Sequence, residues 1–262
     1  MSLACLDGEI MPADQACIPV SDEGLLRGDG VFEVIRLHGG RPFALEAHLQ
    51  RMQRSAENLR LPFDAEAMQA DARALLGAQH PGDAVLRLVV TRGGHRVALI
   101  EDLPDLPATL ALGVVTYAPT RVLDGVKSLS YAANMLASRL ARERGFDEAL
   151  LVTPHGRVLE GPTSCFFCVR EGELVTPPLE DHVLDSITRR AVFAVARVRE
   201  QPIALEDLGD VQEAFLASTL RDAMPVRAIE QLELVAPGPV TREIAAALAA
   251  HVAAEVAAAG AA

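Results

Sequence analysis

Two periodicities alternate along the first part of the chain. Apolar residues at every second position predict strands, and apolar residues three or four positions apart predict helices. A hairpin turns at Asp7-Gly8, and Gly30–Leu37 is the first long strand. The same patterns predict two helices and then two strands over 46–59, 65–76, 84–91 and 108–117. Strands and helices mixed in this way predict an α+β unit.

The second part of the chain begins after a predicted linker at Ala118–Gly125, which contains Pro119 and ends in Asp124-Gly125. Beyond it the spacing predicts helices over 131–144, 187–198 and 240–259, with short strands between them. This part is α+β as well. We therefore predict a two-domain α+β protein with a smaller domain at 1–117, a linker at 118–125 and a larger domain at 126–262.

Composition excludes several classes of protein. Of 262 residues, 50% are hydrophobic, which is enough for a sizeable core and too much for a disordered chain. The formal net charge of −12 argues against a nucleic-acid-binding surface. Charges interrupt every long apolar run, and the first residues lack the pattern of a secretory signal, so we expect neither a membrane span nor export.

The four cysteines are too sparse for a disulfide framework and favour a cytoplasmic protein. Cys165 and Cys168 are three positions apart on a predicted strand. They therefore face opposite sides, and no second ligand pair follows them. We expect core cysteines there and no metal site.

The most informative residue is Lys127, the single lysine among 24 basic residues. A coding bias towards arginine could leave one lysine by chance. Alternatively, Lys127 does what arginine cannot, because Schiff-base formation requires a primary amine that can lose its proton.

Other residues gain weight beside that lysine. A carboxylate, Glu160, ends a predicted strand, and small hydroxyl residues open a helix at Ser186–Arg189 and a turn at Ser218-Thr219. Each has an ordinary explanation as a helix cap or an exposed side chain. Together they match the needs of pyridoxal 5'-phosphate (PLP), which are an amine, an acid for the ring nitrogen and donors for the phosphate.

An ordered set of motifs resembles the fold-type IV PLP enzymes, namely branched-chain aminotransferases, D-amino acid aminotransferases and aminodeoxychorismate lyases. The resemblance spans about residues 3–228. The matching segments are 29–33 (DGVFE), 46–52 (EAHLQRM), 126–131 (VKSLSY), 147–151 (DEALL), 159–161 (LEG), 176–178 (TPP) and 184–189 (LDSITR).

The resemblance implies how PLP is held. Lys127 matches the Schiff-base lysine, Glu160 the carboxylate that pairs with the ring nitrogen, and Arg51 the phosphate-binding arginine. Ile187 and Thr188 match the pair whose backbone N–H groups hold the phosphate, and Thr219 matches a phosphate-binding hydroxyl. Leu184 matches the apolar residue against the ring, and Tyr131 matches the tyrosine near O3′.

The chain also departs from the family pattern. Cys165 stands where many members have Asn, and Asp185-Ser186 stands where they have Pro-Gly, which puts the tightness of the phosphate turn in question. Val90–Gly93 resembles a segment whose arginine meets the substrate carboxylate, so Arg92 is a candidate for that contact, with an exposed loop arginine as the alternative. Phe32, within a stretch more like that of the aminotransferases, is a second candidate substrate contact.

The resemblance implies a PLP-dependent aminotransferase that moves an amino group between a small amino acid, of the branched-chain or D-amino acid type, and a 2-oxo acid. One alternative is a lyase that releases pyruvate from 4-amino-4-deoxychorismate to form 4-aminobenzoate. A non-catalytic protein of the same fold is a third hypothesis. The resemblance also implies a homodimer, with PLP bound mostly by the second domain.

Overall fold

The computed structural model describes residues 2–259, so the predicted domain limits at 1 and 262 lie just outside it. Its α-helices are α1 Glu23–Arg27, α2 Leu45–Asn58, α3 Ala65–Gln79, α4 Ala132–Glu143, α5 Ile187–Val195 and α6 Pro239–Ala259. Short 3-10 helices lie at Arg121–Leu123, Leu179–Asp181 and Leu205–Asp210.

Strands account for most of the remaining regular structure. They are β1 Leu3–Leu6, β2 Glu9–Pro12, β3 Gly30–His38, β4 Arg41–Pro42, β5 Ala84–Thr91, β6 Arg96–Glu101, β7 Leu110–Thr116, β8 Glu148–Val152, β9 Arg157–Val158, β10 Cys165–Arg170, β11 Glu173–Thr176, β12 Val198–Glu200, β13 Ile203–Ala204, β14 Val211–Ser218, β15 Asp222–Ile229 and β16 Leu232–Glu233. The predicted α+β class is confirmed.

The chain divides into two compact units. The first contains residues 2–104, 126–131 and 254–259, and the second contains 105–125 and 132–253. This division differs from the predicted one in three places. Residues 126–131, which include Lys127, and residues 254–259 belong with the first unit, and residues 105–125 belong with the second.

The first unit is built on a six-stranded antiparallel sheet in the order β2-β1-β6-β5-β3-β4. One face of β3 and β5 carries the buried residues Ile35, Leu37, Leu86 and Leu88, which form a core with apolar residues of α2 and α3. Helix α3 begins where the Asp64 side chain accepts a hydrogen bond from the N–H of residue 67, as expected for an N-cap.

The segment Val126–Tyr131, here called the lysine strap, pairs with the start of β3. The N–H of Leu129 donates to the carbonyl of Gly30 at 2.9 Å, and the N–H of Phe32 donates to the carbonyl of Lys127 at 3.2 Å. Val126 packs against the core of this unit. The strap thus extends the sheet edge locally, which explains why it belongs to the first unit.

The second unit is built on a ten-stranded mixed sheet. Its strands follow the order β12-β11-β10-β14-β15-β7-β8-β9-β13, and β16 pairs with β15. The pairs β15–β7 and β7–β8 are parallel, whereas β10–β14 and β14–β15 are antiparallel. Buried Phe166 and Leu216 lie in the main core, and Phe167 stacks on Phe215 with ring centroids 4.9 Å apart.

Several predicted bounds need correction. The pattern missed β6 and β15, and the helix predicted over 187–198 ends at Val195. Val198 then begins a strand that pairs in parallel with β11, so sheet pairing overrides the helical spacing there. Cys165 and Cys168 are buried, as predicted. Among residues 2–259, no helix is long and apolar enough to cross a membrane.

Gly30 provides a test of the strap's packing. A Cβ at this position would lie 2.4 Å from the Val90 carbonyl oxygen and 2.6 Å from Leu129 Cδ1. We predict that Gly30→Ala lowers the free energy of unfolding by about 1–3 kcal/mol because backbone and strap must shift. Gly77→Ala is the control: it lies within α3 with open space around it and should gain about 0.5–1 kcal/mol. Urea unfolding measures both, and equal effects of the two substitutions would refute the close packing at Gly30.

Candidate active site

Lys127 lies among aromatic rings in the first unit. Its Nζ atom is 4.3 Å from the centroid of the Phe32 ring and 5.3 Å from that of Tyr131. The two rings meet edge to face with centroids 5.1 Å apart. The backbone N–H of Lys127 donates to the hydroxyl of Ser55 at 3.1 Å. The structure thus brings together three residues named from the sequence, Lys127, Phe32 and Tyr131.

A buried ion pair lies behind the strap in the same unit. Glu33 on β3 is fully buried and accepts hydrogen bonds from Arg51 Nε at 2.7 Å and Arg51 Nη2 at 2.6 Å. His48 Nδ1 lies 2.7 Å from the same carboxylate. His48, Arg51 and Ser55 share one face of α2 because they are three and four positions apart.

Protonation in this cluster follows from burial and charge. Burial raises the pKa of Glu33, but the charge of Arg51 and the hydrogen bonds from Arg51 and His48 outweigh it and lower the pKa to about 2. Burial lowers the pKa of His48, despite the opposing effect of Glu33, and the charges of Arg51 and Lys127 lower it further. His48 is therefore neutral and donates from Nδ1 to an ionised Glu33. Its buried Nε2 has no hydrogen-bond partner among the described residues.

Arg92 is tied into the fold of the first unit. Its Nε and Nη2 donate to both carboxylate oxygens of Asp29, and its Nη groups also donate to the carbonyls of Leu59 and Arg60. Four of its five N–H groups are used in this way. Most of the Arg92 donors are therefore committed to groups of the first unit.

Arg87 is a residue that the sequence analysis missed. Its guanidinium carbon lies 6.0 Å from the centroid of the same Phe32 ring that Lys127 approaches. It pairs with Glu101 at 2.8 Å, and both side chains are about one-third exposed. No sequence spacing identifies Arg87, because it is the pairing of β3 with β5 that places this arginine beside Phe32.

In the second unit, Glu160 lies beside two groups of interest. Its carboxylate accepts a hydrogen bond from the N–H of Leu184 at 3.2 Å. Burial raises the pKa of Tyr117, and the charge of Glu160 raises it further. The Glu160 backbone is held by β8, because its carbonyl accepts from the N–H of Leu151 at 2.9 Å. The structure thus brings together Glu160 and Leu184, two residues named from the sequence.

Helix α5 begins at Ile187, three residues after Leu184. The Ser186 hydroxyl caps it by accepting from the N–H of Arg189 at 3.3 Å. The helix itself offers no acceptor to the N–H groups of Ile187 and Thr188 in its first turn. Ser186 has a φ of −76°, which any residue adopts, so the loss of the family glycine leaves the turn unstrained.

Thr219 lies in the tight turn between β14 and β15. Ser218 pairs with Asp222 across this turn, and the N–H of Arg221 donates to the Ser218 carbonyl at 3.1 Å. Cys165 pairs with Ala217 on the neighbouring strand, and its thiol lies 3.9 Å from the Leu184 carbonyl oxygen. The second unit therefore holds the predicted residues Glu160, Leu184, Ile187, Thr188 and Thr219.

Comparison with known proteins places the chain in a family. The model of the amino-transferase class IV family matches residues 30–229, which is most of the chain. The chain belongs to this family. It is accordingly an enzyme, and it uses PLP, as class IV aminotransferases do.

The relatives differ in their named activities. A protein of Methanocaldococcus jannaschii, provisionally named a branched-chain-amino-acid aminotransferase, is 34% identical over 86% of this chain and 87% of its own length. A bifunctional aminodeoxychorismate lyase / D-amino acid transaminase from Mycobacterium tuberculosis is 29% identical over 86% of this chain and 90% of its own.

Solved structures agree on the fold. The branched-chain aminotransferase of Thermoproteus uzoniensis with norvaline has a TM-score of 0.91 at 29% identity and covers 97% of this chain and 96% of its own. The PLP-bound form of a Mycobacterium tuberculosis protein named a hypothetical aminotransferase has a TM-score of 0.87 at 26% identity and covers 97% of this chain and 99% of its own.

The residues of each unit are compatible with PLP. The first unit offers a lysine amine beside two aromatic rings. The second offers a carboxylate near the half-buried Tyr117, together with helix N–H groups suited to a phosphate. Each of these groups is of the chemical type that PLP requires.

We predict that acid weakens the fold in two stages. In the unfolded chain His48 has a pKa near 6.5, whereas in the folded protein its pKa is lower. The unfolded state therefore binds the proton first, and the free energy of unfolding decreases as the pH falls below about 6.5. Glu33 stabilises the fold above its unfolded pKa of 4.5, and that contribution is lost as the pH falls towards about 2. Urea unfolding at several pH values should show a smaller loss of unfolding free energy below about pH 6.5 in His48→Gln than in the wild-type protein. Identical pH slopes for both proteins between about pH 7.5 and 5.5 would contradict this assignment.

Proposed function

We propose that this aminotransferase moves an amino group between a small aliphatic amino acid, of the branched-chain or D-amino acid type, and a 2-oxo acid. The observation that carries the proposal is the position of the single lysine, whose Nζ lies beside the Phe32 and Tyr131 rings. Apolar rings next to the reactive amine favour an aliphatic substrate side chain. Relatives named for branched-chain and D-amino acids support this class.

Lys127 is proposed to act twice. It holds the cofactor through its side-chain amine, and once released it serves as the base and then the acid that moves the proton from the substrate Cα. Bound PLP supplies the electron-withdrawing ring that makes this proton removable. Phe32 and Tyr131 limit the access of water to the amine, which keeps proton transfer local.

The remaining cofactor contacts are proposed from the family resemblance together with the local geometry. Glu160 favours a protonated ring nitrogen because it is an acidic partner. The N–H groups of α5, the Thr219 hydroxyl and Arg51 receive the phosphate. Leu184 and Tyr131 are proposed to lie against the ring face and near O3′ respectively. Glu33 orients Arg51 for its part through their two-point contact.

For the substrate carboxylate, the geometry favours Arg87 over Arg92. Arg87 lies at the Phe32 ring and pairs with one carboxylate, Glu101, which is about one-third exposed, whereas the donors of Arg92 are occupied by Asp29 and two backbone carbonyls. We therefore propose that Arg87 binds the carboxylate and that Arg92 holds the loop after β5.

Paired substitutions test this exchange of roles. Arg87→Gln should raise KM for the amino donor about tenfold to a hundredfold, because a charged hydrogen bond is lost, while Tm changes little. Arg92→Gln should lower Tm because it frees Asp29 and two carbonyls. Steady-state kinetics and thermal unfolding of both variants separate the two. An unchanged KM in Arg87→Gln would overturn the assignment.

The mycobacterial relative keeps a lyase alternative open, in which 4-amino-4-deoxychorismate yields pyruvate and 4-aminobenzoate. A screen of amino donors against pyruvate and 2-oxoglutarate distinguishes the reactions. We expect turnover with branched-chain amino acids or D-alanine. Release of 4-aminobenzoate with no transamination would refute the proposal.

Lys127→Arg is the control for the screen. It keeps the positive charge and should cost no more than about 2 kcal/mol of stability. Turnover should nevertheless fall by orders of magnitude, because arginine can neither hold PLP covalently nor move the proton. Substantial activity in this variant would contradict the role of Lys127.

We further propose a homodimer in the cytoplasm. The family resemblance supports the dimer, as do the exposed side chains of Leu25 and Leu26 on α1. A reducing compartment is favoured by the four free thiols, which are those of Cys5, Cys17, Cys165 and Cys168. Light scattering coupled to size exclusion measures the oligomeric state.

A further inference from the structure

A second buried carboxylate, Glu148, organises a network in the second unit. It opens β8, and its side chain is almost completely buried. One oxygen accepts from the Ser138 hydroxyl at 2.6 Å and from the N–H of residue 149 at 3.0 Å. The other accepts from Arg221 Nη2 at 2.7 Å. The carboxylate is therefore satisfied on both sides, as a buried charge requires.

Arg221 connects this network to a second segment. Its Nη1 donates to the Ser164 hydroxyl at 2.8 Å. Ser164 closes a tight turn with Gly161, whose N–H donates to the Ser164 carbonyl at 2.8 Å. Gly161 directly follows Glu160, so one end of the Arg221 guanidinium is anchored at the turn that follows the proposed ring-nitrogen partner.

The backbone of Arg221 belongs to a different turn. It lies two residues after Thr219, and its N–H closes the turn on the Ser218 carbonyl. A single arginine thus joins the turn of Thr219 to the turn after Glu160. In the proposed function these two segments bind two different parts of PLP, the phosphate and the ring nitrogen.

We propose that Arg221 is a positioning residue that sets the spacing between Thr219 and Glu160 and so tunes the affinity for the phosphate end of PLP. This inference rests on the proposed roles of those two residues. The charge of Arg221 is paired with that of Glu148, so its contribution is geometric rather than a direct attraction for phosphate. A planar guanidinium suits this task because its donors have fixed directions.

Stability alone explains the network poorly. The antiparallel pairing of β10 with β14 and of β14 with β15 already holds these strands. Buried ion pairs often contribute little net stability compared with apolar replacements of similar volume. Burial of the Glu148 and Arg221 charges costs desolvation free energy. The spacing that this network enforces between the two turns accounts for its presence.

Ser164→Ala is the first test, because it removes only the link to the turn after Glu160. The double variant Glu148→Gln/Arg221→Met is the second, since it removes both charges together and leaves neither buried alone. Arg227→Gln is the matched control: Arg227 is half-exposed on β15 and pairs with Asp147, the neighbour of Glu148.

The readout is the affinity of the apoenzyme for PLP compared with pyridoxal, which lacks the phosphate. We expect each test variant to lose about threefold to tenfold of the preference for PLP over pyridoxal, the equivalent of one hydrogen bond. The control should keep the wild-type preference. General structural damage would weaken both ligands equally, so an unchanged preference in Ser164→Ala and in the double variant overturns the inference.

The wild-type protein separates this inference from the proposed function. If the wild-type enzyme binds PLP and transaminates, and the test variants keep its preference for PLP over pyridoxal, the proposed function stands and the role of Arg221 is refuted. Wild type that shows no preference for PLP over pyridoxal refutes the phosphate contacts on which both depend.

Discussion

Burial of the Glu33 carboxylate constrains the whole of the lysine-bearing unit. A charge removed from water destabilises the fold unless partners satisfy it, and here both partners, Arg51 and His48, lie on α2. The ion pair therefore fixes how α2 packs on β3. Ser55, one turn beyond Arg51, then meets the backbone N–H of Lys127. The reactive amine owes its position to the packing that a buried charge imposes.

The second unit uses the same device with a different geometry. Glu148 is buried at the start of β8, and an arginine from a distant turn satisfies it. In both units the partner arginine comes from another element, so charge burial links segments that are far apart in the sequence. Such links are directional, whereas apolar packing is not, and a site that must place several polar groups benefits from them.

The sequence predicted much of the fold and the chemistry, for identifiable reasons. Lys127 stood out because arginine cannot replace a reactive amine, and the two periodicities located most strands and helices. The strand β15 escaped notice because Pro225 breaks the pattern, although the structure accommodates it opposite Phe215. Arg87 and Arg221 could not be found from spacing. Their partners lie on other strands and turns, and only tertiary pairing brings them together.

The most direct test of the account is to locate the covalent attachment of PLP. Borohydride reduction of the PLP-loaded enzyme fixes the cofactor to the amine that holds it, and digestion with mass spectrometry then identifies the residue. Because the chain has one lysine, the account predicts a single modified side chain, Lys127, and no modified side chain in Lys127→Arg. A cofactor adduct on another residue, or none in the active wild-type enzyme, would contradict it.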